Sequence, residues 1–174
     1  MKKSSAILMW GVITALASIV FYWITNMSGV PNKSLQWLGY VIYFAGLLVG
    51  TLQYRNKANG GYISFGEAYK VGILMSLIFA ALSTINFVIF LQVHPEFPDK
   101  ILEQSRIDMV NKGMTSDQME LGLKYARKFL SPGIMVVFGL VGQIIGGAIL
   151  SLLSAGISSK PKPPMMDDDN NPAQ

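Results

Sequence analysis

The sequence predicts an all-α fold, an integral membrane four-helix bundle with an amphipathic helical hairpin between the third and fourth spans. Four apolar stretches lack Asp, Glu, Lys, Arg and His: residues 5–25, 35–54, 71–93 and 131–157. Each reaches the roughly 20 residues that a helix needs to cross a hydrocarbon core. Only 14% of all residues are charged, against about 25% in soluble domains, so a water-soluble core is not expected.

The chain divides into a single transmembrane domain, residues 1–159, and a disordered tail, residues 160–174. The tail alternates Lys with Pro and then carries three consecutive Asp, a polar composition that cannot bury a core. Gly29 and Pro31 lie in the first connection. Because both residues interrupt helices, the first two spans are expected to form a helical hairpin.

The third span has a recognisable start. Ser64 is followed three residues later by Glu67, the spacing of a capping box, in which each side chain accepts a hydrogen bond from the other residue's backbone amide. This spacing predicts a helix that begins near Phe65. Gly60 and Gly61 superficially resemble a phosphate-binding loop but lack its Gly-Lys-Ser/Thr ending, so we interpret them as a flexible turn.

Residues 94–130 form the one substantial polar segment, in which acidic and basic residues are interleaved, and the predicted hairpin occupies residues 98–130 of it. Gly113 predicts the end of a first helix. Thr115 with Gln118 predicts a capping box at the start of a second helix. Apolar residues then recur at helical spacing, at Met119, Leu123, Ala126 and Leu130. The pattern predicts a helical hairpin that lies at the membrane surface.

Composition and motifs exclude several kinds of site. The chain has no cysteine, so disulfides, thiolate metal sites and cysteine nucleophiles are excluded. The net charge of +4 comes from bases spread around the apolar stretches, so no nucleic-acid partner is expected. His94 and Glu96 are too few for a metal site, which usually needs three or four ligands. With no catalytic motif in the sequence, we predict no catalytic residue, no cofactor, no metal and no enzymatic activity.

Amides and glycines inside the spans are interpreted as helix-packing residues. An amide in lipid tends to bond to another helix, and glycines spaced by four let two backbones approach closely. The predicted packing residues are Gly46, Gly50, Asn86, Gly142, Gln143 and Gly146. Asn86 and Gln143 either pair across two helices, which we favour, or line a narrow polar path.

Glu67 and Lys70 lie three residues apart at the entrance to the third span. An ion pair on the helix face is the expected arrangement. Contact with a lipid phosphate is the alternative, so membrane lipid is an expected partner of this chain.

Four spans place both termini on one side of the membrane. The two sides carry equal numbers of Lys and Arg, but the bases on the side of the termini lie in shorter loops, which favours cytoplasmic termini. Bases just before the fourth span favour the opposite orientation. Lys2 and Lys3 with Ala15-Leu16-Ala17 also match a signal peptide. Because the residues after that site stay hydrophobic, we expect an uncleaved first span.

The order of these segments resembles a known family. The third span opens with Gly61-Tyr62-Ile63-Ser64-Phe65-Gly66-Glu67-Ala68 and closes with Pro95-Glu96, the helical connection contains Gly113-Met114-Thr115, and the last span is glycine-rich. This pattern resembles the family catalogued as domain of unknown function 4199, small four-span membrane proteins of Bacteroidota. The resemblance implies a protein of the bacterial inner membrane. It implies no activity, ligand or catalytic residue, and the Asp-rich tail has no counterpart in it.

Two functions therefore stay open. The first is a non-enzymatic envelope scaffold or interaction protein that uses residues 98–130 to contact lipid headgroups, a protein partner or a second copy of the chain. The alternative is a small transporter or channel subunit with a polar path near Asn86 and Gln143.

Overall fold

The computed structural model describes residues 2–26 and 33–163. Its long elements are helices: α1 Lys3–Asn26, α2 Lys33–Gln53, α3 Phe65–Val93, α4 Phe97–Asn111, α5 Ser116–Phe129 and α6 Pro132–Ser158. One π-helical turn, Tyr54–Ala58, extends α2. The reversal predicted around Gly29 and Pro31, and the predicted tail from Pro164 onward, lie outside the described residues.

Four of these helices are long and apolar enough to cross a membrane. They are α1, α2 with its π-helical extension, α3 and α6, and each coincides with a predicted span. The chain is therefore a multi-pass membrane protein. The predicted all-α membrane bundle is confirmed, with α4 and α5 between the third and fourth spans.

The four spans form a ring in which α1 contacts α2 and α3, and α6 contacts α3 and α2. The ring has two ends. At one end Lys3 Nζ lies 3.6 Å from Glu67 Oε1, and Arg55 Nη1 donates to the Ser158 carbonyl at 3.0 Å. We call the half of the bundle nearest these residues the terminal half. The opposite half, next to α4 and α5, is the hairpin half.

Small residues pack α3 closely against α6 in the terminal half. A Cβ added at Gly72 would lie 2.8 Å from Ser151 Oγ, and one added at Gly147 would lie 2.7 Å from Ser76 Cβ. Only glycine fits at either position without a shift of the neighbouring helix. Ser76 Oγ also lies 3.2 Å from Ser151 Oγ. We call these four residues the α3–α6 seam.

The start of α3 follows the local sequence signal. Ser64 Oγ accepts a hydrogen bond from the Glu67 amide at 3.3 Å, and α3 begins at Phe65 as predicted. The Glu67 side chain does not complete the capping box. Its carboxylate accepts hydrogen bonds from Tyr54 at 3.3 Å and Asn59 at 3.1 Å instead.

The predicted disordered tail begins in an ordered segment. Ile63 and Lys160 exchange two backbone hydrogen bonds of 2.8 Å, and Lys160 Nζ lies 5.3 Å from the centroid of the Tyr62 ring. Ile63 is buried, so its backbone groups need partners that water does not supply. Residue 160 thus belongs to the folded part of the chain and ties the end of α6 to the turn before α3.

Candidate functional site

The helices α4 and α5 form the predicted surface hairpin. Gly113 follows α4 with a φ of 69°, a left-handed conformation that suits glycine. Thr115 Oγ1 accepts from the Gln118 amide at 3.5 Å, and the Gln118 side chain accepts from the Thr115 amide at 3.1 Å. Both halves of the predicted capping box are therefore formed. The two helices touch where a Cβ at Gly122 would lie 2.9 Å from Met109 Cε.

A row of apolar side chains on α5 is exposed. Leu121, Tyr125 and Phe129 are 56%, 56% and 57% exposed, and their spacing of four places them in one row along the helix. Lys124 and Lys128 are also exposed and also spaced by four, which gives a basic row beside the apolar one. We call these five residues the α5 ridge. Apolar and basic faces side by side are typical of a helix that lies in a membrane interface.

A small charged cluster joins α3 to α4. His94 Nδ1 lies 3.2 Å from Glu96 Oε1, and Lys100 Nζ donates to the same oxygen at 3.2 Å. Hydrogen bonds from its own backbone amide, from His94 and from Lys100 lower the pKa of Glu96 from 4.5 to about 2. No group of three or more His, Asp or Glu side chains within residues 2–26 and 33–163 is placed to hold a metal ion.

The hairpin half of the bundle contains a cavity of about 800 Å³ that is open on one side. All four spans contribute to its wall, and Phe97 of α4 and Phe129 of α5 complete it near the hairpin. The side chains that line it are mostly aromatic or small, and none is Asp, Glu, Lys, Arg or His. Its volume lies within the range of roughly 300–1,000 Å³ that small-molecule sites occupy.

Glycines of α6 create much of this space. Gly139, Gly142 and Gly146 all line the cavity, and a Cβ added at any of them would meet no heavy atom within 4 Å. Their spacing of three and four places them on one face of the helix. The cavity therefore exists partly because this face of α6 carries no side chains.

Polar side chains interrupt the apolar wall. Trp23 Nε1 donates to Asn86 Oδ1 at 2.8 Å, which links α1 to α3 beside the cavity. Gln143 Oε1 and Ser18 Oγ are buried and have no hydrogen-bond partner in the described part of the chain. Both residues line the cavity. A buried polar atom without a partner costs about 1–3 kcal/mol, so the cavity suits a molecule that supplies a hydrogen bond.

The cavity is open at its outer edge and closed toward the terminal half. Tyr40 of α2 and Phe138 of α6 line it yet are 69% and 61% exposed, so they form its rim. The Phe129 ring meets Phe138 edge-on, with a centroid distance of 5.9 Å. At the inner end the rings of Tyr43 and Phe79 stack with centroids 3.8 Å apart. The closely packed α3–α6 seam lies in the half beyond them.

The chain matches a known protein family over most of its length. The sequence profile of the family described as "Protein of unknown function (DUF4199)" matches residues 9–160. The chain belongs to this family. The match includes the surface hairpin and the cavity, and it confirms the resemblance inferred from the sequence. No curated protein and no solved structure matches the chain.

In this DUF4199 member the glycines predicted to pack helices have two different environments. Gly46 lies against Thr14 of α1, and Gly50 lies against Met75 of α3. Gly142 and Gly146 face the cavity and make no such contact among the described residues. Within the described residues α6 instead turns the small residues of the α3–α6 seam toward α3. Packing of Gly142 and Gly146 against a second copy of the chain stays a prediction.

Asn86 and Gln143, the two amides predicted to pair, do not bond to each other. Asn86 accepts from Trp23, and the side-chain oxygen of Gln143 has no partner among the described residues. The favoured pairing is thus replaced by a bond between α1 and α3. Both amides line the same cavity, which is the feature the alternative interpretation required.

Glu67 and Lys70 are not paired in the described part of the chain. Glu67 contacts Lys3, Tyr54 and Asn59, so its carboxylate is bound by side chains of the protein itself. Lys70 is exposed, and its contact with a lipid phosphate stays a prediction.

The aromatic rim was not among the residues predicted from the sequence. Tyr40, Phe129 and Phe138 come from three different helices, so no local spacing connects them. The available signal was Gly139, which extends the glycine face of α6 by one further turn toward the hairpin.

Proposed function

We propose that this DUF4199 member is a non-enzymatic membrane protein that binds the headgroups of its own bilayer through the α5 ridge, and so acts as an envelope scaffold or interaction protein. The observation that carries the proposal is the exposed apolar row of α5 beside a basic row. An amphipathic helix of this kind inserts its apolar side chains at the level of the headgroups and leaves its cations in water.

The position of α5 supports a lipid surface as the occupant of the ridge. The helix ends at Phe129, and the membrane-spanning helix α6 begins at Pro132. The Phe129 ring contacts Phe138, which lies within α6. The C-terminal end of α5 is thereby held close to the membrane that α6 enters.

The charge of α5 favours anionic lipid. Lys124, Arg127 and Lys128 are exposed and form no ion pair with the described residues. Each base near an anionic membrane surface contributes about 1 kcal/mol to binding. A protein partner or a second copy of the chain is the alternative occupant of the ridge, and nucleic acid is not an expected partner.

The quenching of a dye on the ridge tests this proposal. The chain has no cysteine, so Tyr125→Cys provides a single site for an environment-sensitive dye, and Lys112→Cys at the hairpin turn is the matched control. In anionic phosphatidylglycerol nanodiscs, a quencher attached to lipid headgroups is expected to act on the dye at 125 more than at 112. Changing Lys124, Arg127 and Lys128 to Gln should reduce the difference. Equal quenching at both sites would exclude the lipid-bound ridge.

The proposal includes the bacterial inner membrane with both termini in the cytoplasm, which places the hairpin on the opposite surface. The support is the concentration of Lys and Arg in the shorter loops of the terminal half. Lys57→Cys is expected to react with a membrane-impermeant maleimide only in opened cells, whereas Lys112→Cys reacts in intact spheroplasts. If Lys57→Cys reacted in intact spheroplasts and Lys112→Cys only in opened cells, the hairpin and not the termini would lie in the cytoplasm.

Transport is a second candidate function, favoured by the shared placement of Asn86 and Gln143 in the cavity wall. The packed α3–α6 seam argues for a solute-binding transporter over an open channel. Liposome flux separates transport from packing. Asn86→Leu and Gln143→Leu should change flux if the amides contact a solute, whereas packing residues would change only the free energy of unfolding.

A further inference from the structure

We propose that the cavity of the hairpin half binds an uncharged amphiphile with a hydrocarbon or ring body and a hydroxyl group that hydrogen-bonds to Gln143. The inference concerns the interior of the bundle, which shares only Phe129 with the α5 ridge. It rests on the chemistry of the lining, on the unpartnered polar atoms of Gln143 and Ser18, and on the position of the rim.

The lining excludes a charged group on the buried part of the ligand. None of the cavity residues is acidic, basic or His, so a carboxylate or ammonium group there would lose its hydration without a counter-charge. The stacked rings of Tyr43 and Phe79 form an apolar inner wall. A hydrocarbon chain or a flat ring gains dispersion contacts against such a wall.

Gln143 defines where a polar group binds. Its side-chain oxygen is buried without a partner in residues 2–26 and 33–163, and the Ser18 hydroxyl across the cavity on α1 has none either. Asn86, by contrast, already accepts from Trp23. A hydroxyl is both donor and acceptor, so one such group satisfies the amide of Gln143 whichever of its terminal atoms faces the ligand.

The rim indicates that the ligand enters from the bilayer. Tyr40 of α2 and Phe138 of α6 are exposed aromatic residues of the lining, and both helices are spans. An opening bordered by two spans admits a molecule dissolved in the hydrocarbon region. Water alone fits the cavity poorly, because an ordered buried water needs two to four polar partners and most of this wall is apolar.

Photolabelling of the full chain tests the proposal. The probe is a long-chain alcohol that carries a diazirine, added to the protein in phosphatidylcholine nanodiscs, with crosslinked peptides identified by mass spectrometry. We expect labelling at cavity residues and competition by the unlabelled alcohol. The alkane of equal chain length should compete roughly five- to tenfold less well, the factor expected for about one hydrogen bond. The carboxylic acid should also compete less well than the alcohol, because its ionised group would lose hydration without a counter-charge. Gln143→Leu should remove the preference for the alcohol over the alkane.

Leucine substitutions at glycines of α6 test whether the label binds in the cavity. Gly142→Leu fills the cavity and should abolish specific labelling. Gly156→Leu adds the same side chain where there is also open space but outside the cavity, and it should label as the parent protein does. Gly139→Leu serves as a second filling variant, and thermal unfolding of each variant verifies that it is folded.

Three outcomes overturn the inference. Equal labelling of the filling variants and Gly156→Leu would show that the cavity is not the site. Equal competition by alcohol and alkane would show that only a bilayer tail occupies it. Equal or better competition by the carboxylic acid would contradict an uncharged ligand.

Discussion

The terminal half and the hairpin half of the bundle use similar residues with opposite results. In the terminal half, Gly147 of α6 lies against Ser76 of α3, and the two helices touch. In the hairpin half, Gly142 of the same helix borders a cavity of about 800 Å³. The difference lies in the direction in which each glycine points. Gly142 and Gly147 are five residues apart and so lie on different faces of α6, and of the two only Gly147 faces α3.

Gly146 and Gly147 are adjacent at the border of the two halves. Their substitution tests the difference between the halves most sharply, because it has the largest expected effect on the free energy of unfolding. Gly147→Ala places a methyl group 2.5 Å from the Tyr43 hydroxyl and 2.7 Å from Ser76 Cβ, so overpacking is expected to cost roughly 1–3 kcal/mol. Gly146→Ala adds the same methyl group to open space and should stabilise α6 by about 0.5–1 kcal/mol. Unfolding in mixed micelles measures both free energies. Equal effects of the two changes would remove the distinction between the halves.

Serine substitutions probe the same comparison with a smaller expected effect. Ser151→Ala removes a hydroxyl that lies 3.2 Å from Ser76 Oγ, and a hydrogen bond between membrane helices is worth about 0.6 kcal/mol on average. Ser18→Ala removes a buried hydroxyl that has no partner among the described residues, so the free energy of unfolding should stay constant or rise slightly. A larger loss at Ser18 than at Ser151 would contradict this assignment.

The charged cluster of His94, Glu96 and Lys100 at the edge of the hairpin half is expected to have the smallest effect on stability. Because folding lowers the pKa of Glu96 from 4.5 to about 2, its carboxylate stabilises the folded chain fully above pH 4.5 and loses that contribution as the pH falls toward 2. Carbon-detected NMR of the Glu96 carboxyl measures this titration directly. Lys100→Gln should move the midpoint upward, since Lys100 donates to Glu96. An unchanged midpoint would assign the shift to the backbone and His94 alone.

The spans and the helix ends were predictable because their signals are local. Residues 71–93 contain no charged residue, and α3 ends at Val93. Ser64 and Thr115 cap helices through atoms no more than three residues away, so their sequence spacing contains the whole interaction. The ordered bond between Ile63 and Lys160 was not predictable, since its partners are far apart along the chain.

Sequence alone determined that this chain is a multi-pass, all-α membrane protein with a surface hairpin, because length, hydropathy and capping act within one segment at a time. Only the tertiary structure decided that Gly46 and Gly50 pack while Gly142 and Gly146 border a cavity. It also decided that Asn86 bonds to Trp23 and leaves Gln143 unpartnered. The physical reason is that a glycine or an amide acquires its role from whatever the neighbouring helix presents at its level, which depends on the rotation and separation of whole helices.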